Sequence, residues 1–331
     1  MPEKISQIFD RVFGSKKFKH NYILHIGLFV ITLITTIIAG IQWTTGKEGP
    51  YEFSDVMKGL PYAFSILFIL GVHEFGHYFA SVYHKVKATL PYFIPFPPVS
   101  GFFNFGTIGA VIKTKSPIPN NKAMFDIGAA GPICGFIACL AVLIFGFTHL
   151  PGKEYLLQIH PNYDTPEFGK NAVGLEFGGT LLFTFLKFLF TNPSQFVPPM
   201  SEVYHYPYLC VGWFGLFVTA MNLIPVGQLD GGHIIYSMFN EKKHETIASI
   251  SMIFLLLFGI LGIIDTFLDI NIKVGWSGWL FWALILFFVI KIKHPPVDQF
   301  EELGFGRKVV GYFAILVFIL SFSPTPFVLS L

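Results

Sequence analysis

His73-Glu74-Phe75-Gly76-His77 sets two imidazoles four residues apart inside a long apolar run. In a helix, positions i and i+4 share one face, about a turn apart. Two imidazoles there can grip one metal ion, with Glu74 beside them as a base. The plain alternative is a pair of satisfied core histidines and a salt-bridged glutamate. Inside a membrane that alternative weakens, because an ionisable side chain at the centre of a span costs about 2.5–3.5 kcal/mol on insertion scales and by default marks function. Two histidines and a water leave one ligand missing from a tetrahedral catalytic zinc. Asp230 is a candidate for it, at the end of Asn222-Leu223-Ile224-Pro225-Val226-Gly227-Gln228-Leu229-Asp230-Gly231-Gly232. Pro225 and Gly227 should break the helix there, and the polar backbone so freed must line a cavity or meet water. Spacing alone leaves a second reading open, in which Asp230 only caps a following helix.

The elements that must position these residues are membrane helices. Of 331 residues, 53% are hydrophobic, 13% are charged and 40 are Phe. Charged residues usually make up about 25%. This composition excludes disorder. A net charge of +2 with dispersed Lys and Arg argues against a nucleic-acid partner. Cys134, Cys139 and Cys210 form no disulfide framework. The expected fold is an all-α polytopic membrane protein in contact with the lipid bilayer. Seven transmembrane helices are expected near 21–43, 61–83, 124–149, 207–224, 246–268, 276–293 and 308–323, the last three short or tilted. An eighth apolar stretch, 173–190, carries Glu176, Lys187 and several glycines, and reads as a surface helix.

With seven spans, sixteen of the 22 Lys and Arg fall on one side. The positive-inside rule makes that side cytoplasmic, with the N-terminus in and the C-terminus out. The first apolar run starts at residue 21 and is too long for the core of a cleavable signal peptide, and a Ser-rich transit segment is missing. The expected location is therefore a bacterial inner (cytoplasmic) membrane. The chain reads as one membrane domain over 1–331, with a core of about 60–240 and accessory helices at about 21–43 and 246–323.

His73-Glu74-Phe75-Gly76-His77 followed by Asn222 and Leu229-Asp230-Gly231-Gly232 resembles the site-2 protease family of intramembrane zinc metalloproteases. Leu90-Pro91-Tyr92-Phe93-Ile94-Pro95, Gly106-Thr107-Ile108-Gly109-Ala110-Val111-Ile112, Asp126-Ile127-Gly128-Ala129-Ala130-Gly131-Pro132 and Trp213 through Asn222 look like one branch of it, the branch without an inserted peptide-binding or a nucleotide-sensing domain. The resemblance covers about 60–240. In this sequence Leu223 and Ile224 stand between Asn222 and Pro225, where the family often has Asn-Pro. The resemblance implies a three-helix catalytic core (the spans near 61–83, 124–149 and 207–224), one Zn²⁺ per chain on His73, His77 and Asp230, and transmembrane proteins as substrates. Glu74 would take a proton from the attacking water and pass it to the leaving amine. Asn222 would hold the substrate backbone or help stabilise the oxyanion. Water would reach the site from the cytoplasmic side.

Gly101 to Lys115 alternates Gly, aromatic and β-branched residues, strand-like over 107–114. In the family this resembles a membrane-associated β-hairpin loop, and the edge at Gly106, Thr107, Ile108 and Gly109 would bind substrate by backbone pairing. The alternative is a surface loop anchored by Phe102, Phe103 and Phe105. Gly131-Pro132-x-x-Gly135 reads as a close helix-packing surface. His233 is near the site but superfluous as a ligand. His20, His25, His84, His149, His160, His205, His244 and His294 read as solvated or interfacial. Two rival functions use the same residues: a metal or ion transporter with His73, His77 and Asp230 as a transit site, and a zinc-binding scaffold without proteolysis.

Overall fold

The computed structural model describes residues 21–97, 104–166, 168, 174–192, 194–268, 274–297 and 299–330. Phe102, Phe103 and the basic N-terminal tail lie outside the described residues. The chain is mostly helical. Helix α1 is Tyr22–Thr45, α2 Phe53–Tyr83, α3 Asn121–Thr148, α4 Lys153–Ile159, α5 Leu181–Phe190, α6 Pro207–Leu223, α7 Asp230–Phe239, α8 Glu241–Leu268, α9 Ser277–Ile285 and α10 Phe305–Ser321. The strands are β1 Tyr92–Pro95, β2 Thr107–Val111, β3 Gly174–Phe177 and β4 Phe327–Ser330.

Local chemistry sets the ends of the helices near the site. Asn21 Oδ1 accepts from Leu24 N at the start of α1, and Gly46 closes that helix in the left-handed region. Glu52 and Asp55 form a capping box at the start of α2, with Glu52 N donating to Asp55 Oδ2 at 3.0 Å. Asn120 Oδ1 accepts from Ala123 N at 2.9 Å to start α3. Pro207 occupies the first turn of α6, where its missing N–H costs nothing.

Helix faces are sorted for lipid. Along α8 the buried residues Ala248, Met252, Leu255, Gly259 and Gly262 recur every three or four positions, while Ile253, Phe254, Leu257 and Ile260 point outward. The core between α2, α3 and α6 is aromatic: Trp213, Phe214 and Phe177 are buried, and Trp213 Nε1 donates to Gly178 O at 2.8 Å. Buried threonines of α1 satisfy their hydroxyls on their own helix, as Thr32 does on Leu28 O at 2.8 Å.

Among the described residues, four helices are long and apolar enough to cross a membrane: α1, α2, α3 and α8. The other three expected spans correspond to shorter pieces. Helix α6 has 17 residues, α9 has nine before a π turn at Leu286–Ile290, and α10 has 17. At 1.5 Å per residue, 17 residues reach only about 25 Å.

The region is not purely helical. β1 pairs antiparallel with β2, Tyr92 opposite Val111 and Ile94 opposite Gly109, with an irregularity that leaves Ile108 without a partner. The proline-bounded Leu90–Pro95 motif is thus the missing strand of the expected hairpin. The expected surface helix over 173–190 is corrected: its first part is strand β3, paired with β4 at the far end of the chain, Phe177 opposite Phe327, and only Leu181–Phe190 is helix. Gly178 and Gly179 separate the two. Leu182, Phe183 and Leu186 of α5 are buried, while Phe185, Phe188 and Leu189 are exposed.

Candidate metal centre

His73 and His77 occupy one face of α2, four residues apart, and both are buried. Asp230 is the first residue of α7, whose N-cap is Leu229. Asp230 therefore does not take the N-cap position that its spacing also allowed. Its Oδ2 lies 3.5 Å from His73 Nε2 and 3.4 Å from His77 Nε2, and the two Nε2 atoms are 3.0 Å apart. A tetrahedral zinc with donors at about 2.0–2.1 Å needs donor–donor separations of about 3.3 Å. Two imidazole nitrogens and a carboxylate oxygen are also the donors zinc takes. The residues present fit a zinc ion.

His77 is held from behind. His77 Nδ1 donates to Ile127 O of α3 at 2.7 Å, which leaves the Nε2 lone pair directed at the cluster. Gly131 and Gly135 of α3 face the two rings. A Cβ on Gly135 would stand 2.9 Å from His73 Cβ, and one on Gly131 would overlap the His77 ring at Nε2. The Gly131-Pro132-x-x-Gly135 surface is a packing surface as expected, and what it admits is the pair of rings. Gly231 makes the third close approach: a Cβ there would collide with the backbone of Leu223 and Ile224. This contact brings the start of α7 back onto the end of α6 after the turn through Gly227, whose φ is +53°.

Glu74 is 8% exposed. Asn222 is half-buried in the last turn of α6, and the described residues give its side chain no hydrogen bond. The Gly106–Gly109 loop packs on α1, where Thr35 Oγ1 donates to Gly106 O at 2.6 Å. Within it, Thr107 Oγ1 donates to Ile94 O at 2.7 Å and accepts from Gly109 N at 3.0 Å. Gly106 and Gly109 have φ of 75° and 120°, and Ile108 is 70% exposed.

Two features escaped sequence reasoning. Arg307 of α10 grips Asp126 of α3 through Nε at 2.8 Å and Nη2 at 2.7 Å, and His84 Nε2 meets the same carboxylate at 2.8 Å. This network ties the end of α2 to the helix that backs the histidines. His233 stays outside the cluster, with its Nδ1 2.7 Å from His294 Nε2. Nothing in the spacing links residues 181 or 61 positions apart. The interfacial reading of several histidines is corrected as well: His25, His205, His244 and His294 are buried, His25 and His244 on inward faces of α1 and α8, His205 on the 3-10 turn before α6 and His294 on the segment between the π turn and α10.

Comparison with known proteins places the chain in a family. The chain is 27% identical over 329 residues to the probable zinc metalloprotease EGY1, chloroplastic, of Arabidopsis thaliana, covering 92% of this chain and 53% of that protein. It is 26% identical over 301 residues to the probable zinc metalloprotease EGY2, chloroplastic, of Oryza sativa subsp. indica, covering 90% of this chain and 49% of that one. It therefore spans about half the length of these curated relatives. No solved structure matches it. The family model for peptidase family M50 matches residues 61–259, more than half of the chain, and includes His73, Glu74, His77, Asn222 and Asp230. The chain belongs to peptidase family M50, the site-2 protease family.

Proposed function

We propose that this chain is an intramembrane zinc metalloendopeptidase that hydrolyses peptide bonds of membrane-spanning proteins. One observation carries the reading: three donor atoms from two separate helices converge to 3.0–3.5 Å with Glu74 beside them. His73, His77 and Asp230 hold one zinc per chain, and Asp230 contributes the negative charge. Zinc held there supplies a Lewis acid for the scissile carbonyl and for the water that attacks it. Glu74 takes a proton from that water and returns it to the leaving amine. Asn222 holds the substrate backbone or the developing oxyanion.

Substrate enters as an added strand on β2 at Gly106, Thr107, Ile108 and Gly109. Two strands cannot close a sheet, so β2 keeps one edge without a strand partner among the described residues. The core is about 60–240, within one membrane domain. Helices α6, α9 with its π turn, and α10 add three tilted or short crossings to the four long ones. The distribution of Lys and Arg favours a cytoplasmic N-terminus and an outer C-terminus, and a bacterial inner membrane is the location proposed.

The test is cleavage of a single-span peptide in proteoliposomes. Chelation should abolish it and added zinc should restore it, with no zinc flux across the vesicle. Zinc flux without cleavage would establish the transporter instead.

A further inference from the structure

A second cluster lies at the opposite end of α6. The 3-10 turn Val203–His205 is preceded by Glu202, and at three residues per turn positions i and i+3 stack on one side. Glu202 and His205 therefore point the same way. His160, which caps the end of α4, comes to meet them. His160 Nε2 is 2.9 Å from His205 Nε2, and Glu202 Oε2 is 3.6 Å and 3.7 Å from the two. Helix α6 begins at Pro207 and its 17 residues span about 25 Å, so this cluster is far from Asp230.

Three observations say what the cluster accepts. His205 Nδ1 donates to Thr44 O of α1 at 3.2 Å, so its Nε2 presents a lone pair inward. The side chains of Glu202 and His205 are 4% and 2% exposed, and Glu202 Oε2 has no hydrogen-bond partner among the described residues. A proton shared between the two Nε2 atoms would satisfy the rings and leave that buried oxygen unpaired, whereas a cation satisfies all three. The separations also bracket the donor spacing of about 3.3 Å that a tetrahedral zinc requires.

We propose that His160, Glu202 and His205 form a second, structural site for one divalent transition-metal cation, zinc by its donors. The site is independent of the peptidase reading. It clasps the excursion that contains α4 against the membrane helices. His205 reaches α1 through Thr44, Tyr155 Oη of α4 donates to His205 O at 2.8 Å, and the His160 ring packs on Phe168 at 5.3 Å. The His160 side chain is 31% exposed, which leaves an open side for water as the fourth ligand.

The test uses the full chain without a polyhistidine tag. Metal is counted by elemental analysis in wild type, His73→Ala/His77→Ala and His160→Ala. The expected counts are two zinc per chain, one, and one. The metal-stripped His73→Ala/His77→Ala chain is then titrated with Co²⁺. One equivalent should bind with the intense visible bands of four-coordinate cobalt, and adding His160→Ala or Glu202→Gln should weaken it at least tenfold. His160 is partly exposed, so its removal leaves the fold intact. A zinc count that His160→Ala leaves equal to that of wild type, or cobalt binding that His160→Ala leaves unchanged, overturns the proposal. The difference in zinc between wild type and His160→Ala decides the matter even if the double variant fails to fold.

Discussion

A methyl group on Gly131 would occupy the space that the His77 ring fills at Nε2, the atom proposed to bind zinc. The ring would have to retreat by roughly 1 Å or more to reach an ordinary contact distance. Metal–donor distances tolerate only about 0.2 Å, so Nε2 would leave the cluster. The same movement stretches the 2.7 Å hydrogen bond from His77 Nδ1 to Ile127 O. Loss of such a supporting partner alone weakens metal binding by about 10–100-fold. Overpacking adds about 1–3 kcal/mol of destabilisation. Gly131→Ala should therefore lower zinc affinity at least 100-fold, measured by competition with a chromophoric chelator. Gly135→Ala should be milder, about tenfold, because its Cβ would stand 2.9 Å from His73 Cβ and 3.0 Å from Nδ1, where a few tenths of an ångström relieve it. Gly27→Ala on α1 is the control, with nothing within 4 Å. Wild-type affinity in Gly131→Ala would refute the claim that this glycine holds His77 in a ligand position.

Asp230→Ala should remove zinc and cleavage together, and a chain that keeps its zinc would exclude Asp230 as a ligand. Ile108→Pro should cut cleavage at least tenfold with zinc retained, because Ile108 has no partner in β1 and its loss spares that pairing; unchanged cleavage would end the added-strand idea. Asp126→Asn removes the paired hold of Arg307 and the contact with His84. With these side chains a quarter to a third exposed, it should lower stability by about 1–3 kcal/mol, read as a fall in Tm.

The first cluster was legible because its residues follow local rules. His73 and His77 are one helical turn apart, and Pro225 and Gly227 announce the break that precedes Asp230. Sequence could not decide between cap and ligand for Asp230, since that depends on which helix faces it. The Gly131–Gly135 surface was readable as close packing, but its partner was not. Strands were harder. Pro91 and Pro95 disguise β1, and β3 pairs with a segment about 150 residues later, a distance that carries no periodic signal. Apolar helices shorter than 18 residues read the same as long ones by apolarity. The His160, Glu202 and His205 cluster was missed because its members stand on a short turn and a distant loop, and burial alone distinguishes them from interfacial histidines.

The role proposed for Glu74 is proton transfer beside a zinc it does not bind. Zinc content and cleavage of a model transmembrane peptide, measured together on purified wild type and Glu74→Gln, test it most directly. Equal zinc at the His73 cluster is expected in both, with cleavage in wild type alone. Loss of that zinc in Glu74→Gln, or cleavage that survives the substitution, would contradict it.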